Sequence, residues 1–78
     1  MTQYKLGAVE FAFAALIWDH EPLTSSQLVE LCGERLSWKK STTYTVLRRL
    51  CQRGLFQNEG GVVTSRLSRQ EFDALRSQ

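Results

Sequence analysis

The residues best suited to chemistry lie in one stretch, SWKKSTTYTVLRRLCQRGLF, from Ser37 to Phe56. It carries Lys39, Lys40, Arg48, Arg49 and Arg53, the hydroxyls of Ser41, Thr42, Tyr44 and Thr45, and no acidic residue. Ammonium and guanidinium groups hold anionic oxygens; hydroxyls and amides read hydrogen-bonding edges. The chemistry on offer is therefore recognition of a polyanion rather than bond making. An enzyme is not expected. His20 is the lone histidine of the chain, no nucleophile stands beside a base, and no glycine-rich phosphate loop is present. Metal is not expected either. Cys32 and Cys51 form no CxxC pair and His20 is not spaced to join them, whereas zinc needs about four ligands at recognisable spacing. The two cysteines read as free thiols in or beside a reduced core. No cofactor is implied.

The distribution of charge is more telling than its sum, a net +2. No acid lies between Glu34 and Glu59, and that gap holds Arg35, Lys39, Lys40, Arg48, Arg49 and Arg53, six of the ten basic residues. A local basic surface on a nearly neutral body is the footprint of a nucleic-acid binder. The body itself is small. Seventy-eight residues make one domain that buries only about 60% of its unfolded surface, too little for a substrate cleft of the usual volume. A hydrophobic fraction of 42% fits a folded chain, not a disordered one. The longest apolar run, FAFAALIW (Phe11 to Trp18), falls well short of the roughly 18 residues of a membrane span. The opening MTQYKLGAVE lacks the basic start of a secretory signal. The expectation is a cytoplasmic protein with no membrane partner and no small-molecule substrate.

The elements that must position the basic stretch follow from pattern. A first helix is predicted from Leu6 to Asp19, apolar on several sides through Ala8, Val9, Phe11, Ala12, Phe13, Ala15, Leu16, Ile17 and Trp18, and so central to the domain. Glu21-Pro22-Leu23 reads as a short extended connection. Thr24-Ser25-Ser26-Gln27 is a capping box with Leu23 and Leu28 as its hydrophobic staple, opening a second helix that should end near Gly33 to Arg35. A third helix starts between Trp38 and Ser41 and stops at Gly54. Steps of about 100° per residue put Thr43, Val46, Leu47 and Leu50 on one side. Ser41, Thr45, Arg48 and Gln52 fall opposite, with Thr42, Tyr44 and Arg49 flanking. Gly60-Gly61 is a two-residue hairpin signal between strands at Phe56 to Glu59 and Val62 to Arg66. Ser68-Arg69-Gln70-Glu71, with Leu67 and Phe72 at the staple positions, opens a last short helix running to the end of the chain. The whole is mainly α with a small β-hairpin. Residues 1–67 form the domain proper, and residues 68–78 a short carboxyl-terminal helix where a dimerisation region could begin.

Two helices joined by a few residues, the second basic on its exposed face, describe a helix-turn-helix; a hairpin directly after it describes a wing. The major groove of B-DNA is about 12 Å wide and admits one helix. A helix that reads it needs aliphatic anchors on one side and polar groups on the other. The stretch from Phe11 to Phe56 then resembles the winged-helix domain of the penicillinase repressors. The features that carry the resemblance are Glu10-Phe11 and Ile17-Trp18 in the first helix and Pro22-Leu23-Thr24 before the second. Trp38 stands ahead of the recognition helix, followed by Ser41-Thr42, Thr45, Leu47, Arg49-Leu50 and Arg53-Gly54-Leu55. The resemblance implies a dimeric repressor that binds double-stranded DNA at dyad-symmetric operators. It implies that Ser41, Thr42, Tyr44 and Thr45 face base edges or nearby phosphates, and Arg49 matches a frequent arginine of the family. Lys39, Lys40 and Arg48 are this chain's own additions to that surface. The wing is shorter than the family's, and its tip, Glu59-Gly60-Gly61, is acidic or neutral. Tyr44 is left with two readings, a DNA contact or a cover over the Cys51 side of the helix. The competing function is a winged-helix module that binds another protein through the same basic surface.

Overall fold

The computed structural model of the chain describes residues 6–76. Within them the order is α1 (Ala8–His20), β1 (Leu23–Thr24), α2 (Ser25–Leu36), α3 (Lys40–Gln52), β2 (Phe56–Glu59), β3 (Val62–Ser65) and α4 (Arg69–Arg76). The three-helix core, wing and short last helix expected from the sequence are present, and the fold is a winged helix. The predicted continuation of α4 to Gln78 lies outside the described residues.

Each helix owes its limits to local chemistry. Gly7 precedes α1 and has no side chain to cap it. Glu10 supplies the cap alone, its Oε1 accepting from the Gly7 N–H at 3.3 Å, and its charge suits the positive end of the helix dipole. The capping box of α2 forms as expected: Gln27 N donates to Thr24 Oγ1 at 3.1 Å and Thr24 N to Gln27 Oε1 at 2.9 Å. The staple residues Leu23 and Leu28 are both buried. The helix runs beyond the expected end to Leu36, because Gly33 is accommodated within it and Ser37 makes the stop in the left-handed region, at φ 56°. Gly54 ends α3 as expected, also with positive φ. Gly54 N donates to Cys51 O at 3.0 Å and Leu55 N to Leu50 O at 3.1 Å, the paired bonds of a Schellman stop, with Leu50 and Leu55 buried against it.

Two expectations need correction. The wing is not a lone hairpin. Leu23 and Thr24, read from the sequence as a plain connection, form β1 and pair antiparallel with β3 (Leu23 with Val63, Thr24 with Val62), giving the sheet order β1-β3-β2. Two strands are marginal by themselves; the third strand, and a bond from Ser25 N to Gly61 O at 2.9 Å, tie the hairpin to the start of α2. The last strand ends at Ser65 rather than Arg66, since Arg66 N turns away to Leu55 O. The second correction concerns α1. It is not enclosed on every side: Phe13, Ala14, Leu16 and Ile17 are buried, while Ala8 and Ala12 are exposed and Val9 is 59% exposed. The helix packs on α2 and β3, and among the described residues no element covers its outer side.

Aromatic contacts close the core around the end of α1. Phe72 of α4 is fully buried, its ring 6.2 Å from Phe11 and 5.5 Å from Trp18. Trp18 also lies 5.8 Å from Phe56 and donates its indole N–H to Leu67 O at 2.9 Å. Arg69 sits over the Trp18 ring and reaches Asp19 at 3.3 Å. Trp38 stacks on Phe13 with centroids 5.4 Å apart, so both tryptophans serve packing.

Candidate nucleic-acid interface

Burial divides α3 as the helical period requires. Thr43, Val46, Leu47 and Leu50 are buried, and Thr43 is satisfied there because its Oγ1 donates to Lys39 O at 3.1 Å. Ser41, Thr42, Thr45, Arg48, Arg49 and Gln52 are exposed, as are Lys39 and Lys40 at the amino-terminal end. One rod of about 20 Å therefore fixes aliphatic groups against the body and turns guanidinium, ammonium, amide and hydroxyl groups outward. Hydrophobic burial of the inner face holds the outer face rigidly, which is what preorganised recognition needs.

The amino-terminal end of the helix adds to this electrostatics. Lys39 occupies the cap position and offers no side-chain hydrogen bond, and the first turn holds no acid. The opening N–H groups of α3 are thus left for an outside acceptor, beside two lysines, at the positive end of the helix dipole. Thr45 Oγ1 donates to Ser41 O at 2.9 Å, which leaves its lone pairs facing outward as acceptors.

Tyr44 lies on the Cys51 side of the helix, as one of its two sequence-based readings expects. Its half-buried ring lines an open groove of about 280 Å³ together with Leu47, Arg48, Cys51 and Asn58, and the Lys40 ammonium lies 6.0 Å from its centroid. Asn58 was not anticipated. It belongs to β2, and nothing in FQNE marks it; only the fold of the wing beside α3 brings it to the same groove as Tyr44 and Arg48. Burial raises the Cys51 thiol above its ordinary value. The Cys32 thiol is raised by burial too, partly offset by a hydrogen bond with Thr43. Both thiols are free.

Sequence reasoning also missed the partner of Arg49. Its Nη1 lies 3.5 Å from Glu10 Oε2, across from α3 to the first turn of α1. The wing contributes no cation: FQNE and VVTS carry none, and the tip residues Glu59, Gly60, Gly61 and Val62 are exposed. Positive φ at Gly60 and Gly61 lets the tip close in two residues, which keeps it short. Among the described residues no group of His, Cys, Asp and Glu is arranged to hold a metal ion, and no helix is long and apolar enough to cross a membrane.

The family model described as penicillinase repressor matches residues 6–77. No curated protein and no solved structure matches the chain significantly. The match covers α1, the helix-turn-helix, the wing and α4 together, so with the winged-helix fold and the basic outer face of α3 in place, the chain belongs to the penicillinase repressor family, whose members are DNA-binding transcriptional regulators.

Proposed function

We propose that this protein is a sequence-specific repressor that works in the cytoplasm as a homodimer, docking α3 in the major groove of a dyad-symmetric operator. The observation that carries the reading is the outer face of α3, a row of exposed hydroxyls and cations on an uncapped, acid-free helix whose other side is locked in the core. In this reading Ser41, Thr45 and Arg48 meet base edges, with Tyr44 against a base methyl or phosphate at the groove wall. Lys39, Lys40 and Thr42 hold phosphates. Short hydroxyls and bidentate guanidinium groups discriminate bases; ammonium groups secure the backbone without reading it. One reader helix makes few contacts, which is the reason for the dimer: two half-sites about 34 Å apart double the interface.

The test is a selection from a random duplex pool, followed by anisotropy titrations of the selected duplex and of an unrelated one. Thr45→Ala and Arg48→Ala should each lower affinity for the selected duplex by about 1–3 kcal/mol and relax base preference. Lys39→Ala should weaken both duplexes alike. Sedimentation of the complex should give two chains per duplex. Unchanged affinity in the Thr45→Ala/Arg48→Ala double variant would remove the docking model. No duplex affinity even at low salt would point to an acidic protein partner instead.

A further inference from the structure

The two oxygens of Glu10 do different things. Oε1 caps α1 by accepting from Gly7 N at 3.3 Å, and Oε2 lies 3.5 Å from the Arg49 guanidinium. The Glu10 side chain is 25% exposed and that of Arg49 57% exposed. The carboxylate is thus the fixed, sheltered member of the pair, anchored at a helix start, and the arginine is the outer one. To a phosphate further off, a cation this close to a carboxylate presents a dipole and not a full charge. Arg48, next in sequence and also on the exposed surface, has no such partner among the salt bridges of the described residues.

We infer that Glu10 is a positioning residue for the DNA-binding face. It holds and neutralises Arg49, so the helix engages DNA with one backbone-seeking charge fewer than its sequence carries. The inference rests on the docking of α3 proposed above. Non-specific duplex affinity comes almost wholly from counterion release by Lys and Arg, with each phosphate neutralised adding about 0.9 to the slope of log K against log salt. A carboxylate that occupies one guanidinium suppresses that sequence-blind part and leaves the base-reading hydroxyls untouched. Glu10 thereby sets the sequence-blind affinity of the face, although it lies on a different helix from the reader.

The test measures binding to an unrelated duplex over a salt series for the wild type, Glu10→Gln, Arg49→Ala and the double variant. Glutamine retains the carbonyl that caps Gly7, so α1 keeps its start. Glu10→Gln should steepen the salt slope by about 0.9 and tighten low-salt binding to the unrelated duplex several-fold. The double variant should lose that gain. A carboxylate that only braced the fold would give the opposite sign, weaker binding on removal. A wild-type slope in Glu10→Gln, or a steepened slope that persists in the double variant, overturns the role of Glu10 while leaving the docking of α3 standing. A wild type without salt-dependent duplex affinity overturns both.

Discussion

Phe72→Ala tests whether α4 is part of the core or an appendage to it. Phe72 is completely buried and its ring contacts Phe11 and Trp18. Truncating a buried phenylalanine costs about 3–5 kcal/mol, through lost transfer energy and the cavity left behind. A chain of this length has a total stability of about 4–12 kcal/mol, so the variant should lose a large share of it. The midpoint of thermal unfolding should fall by about 12 °C or more, at about 4 °C or more per kcal/mol for a domain this size. Urea titration followed by tryptophan emission is the assay, because Trp18 abuts the site. The slope against urea should stay near the wild-type value, showing that the folded state is destabilised and not unravelled. Below the new midpoint, affinity for the selected duplex should be unchanged, since Phe72 is not among the residues of the proposed DNA face. A loss under about 1 kcal/mol would refute the reasoning and mean that α4 lies loosely on α1.

Two further outcomes are expected. Ser37→Gly should raise stability by about 0.5 kcal/mol, because it relieves a left-handed serine at the end of α2 at some cost in unfolded-state freedom. A higher midpoint in thermal melts checks it, and a lower one would mean that the serine side chain stabilises the turn. The second concerns pH. Cys32 and Cys51 are held above the ordinary thiol value of 9.0 by burial. The folded state therefore keeps its thiol protons to higher pH than the unfolded chain does. That contribution to stability is full below pH 9 and declines as pH rises above it. The urea midpoint should fall more steeply above pH 9 in the wild type than in the Cys32→Ala/Cys51→Ala variant, and equal slopes would contradict it.

The third helix, with its polar outer face, was legible because its signal is local. The gap in acidic charge and the spacing of Thr43, Val46, Leu47 and Leu50 are both visible in consecutive residues, and burial divides α3 along the same line. The caps at Thr24 and Ser68 were legible for the same reason, each being a pattern of four residues. What escaped depends on segments far apart in the chain. β1 is two residues long and becomes a strand only through β3. Glu21 accepts from both the amide and the hydroxyl of Ser65 at 2.8 Å, and nothing near either residue announces it. Glu10 and Asn58 reach the α3 face in the same way, through packing. The outer side of α1 was misjudged because composition says how apolar a helix is, not how many neighbours a small domain can offer it.

Leu55 is a junction. Its N–H closes the end of α3 on Leu50, and its carbonyl accepts from Arg66 at 2.8 Å and from Leu67 at 3.2 Å. The exit of one segment and the return of the chain after the hairpin are thus pinned to the same peptide. Adding a residue between Gly54 and Phe56 would rotate this pivot and aim the wing and α4 in new directions at once. Length, more than side-chain identity, is what this short stretch has to preserve, and it is where insertions should be tolerated least.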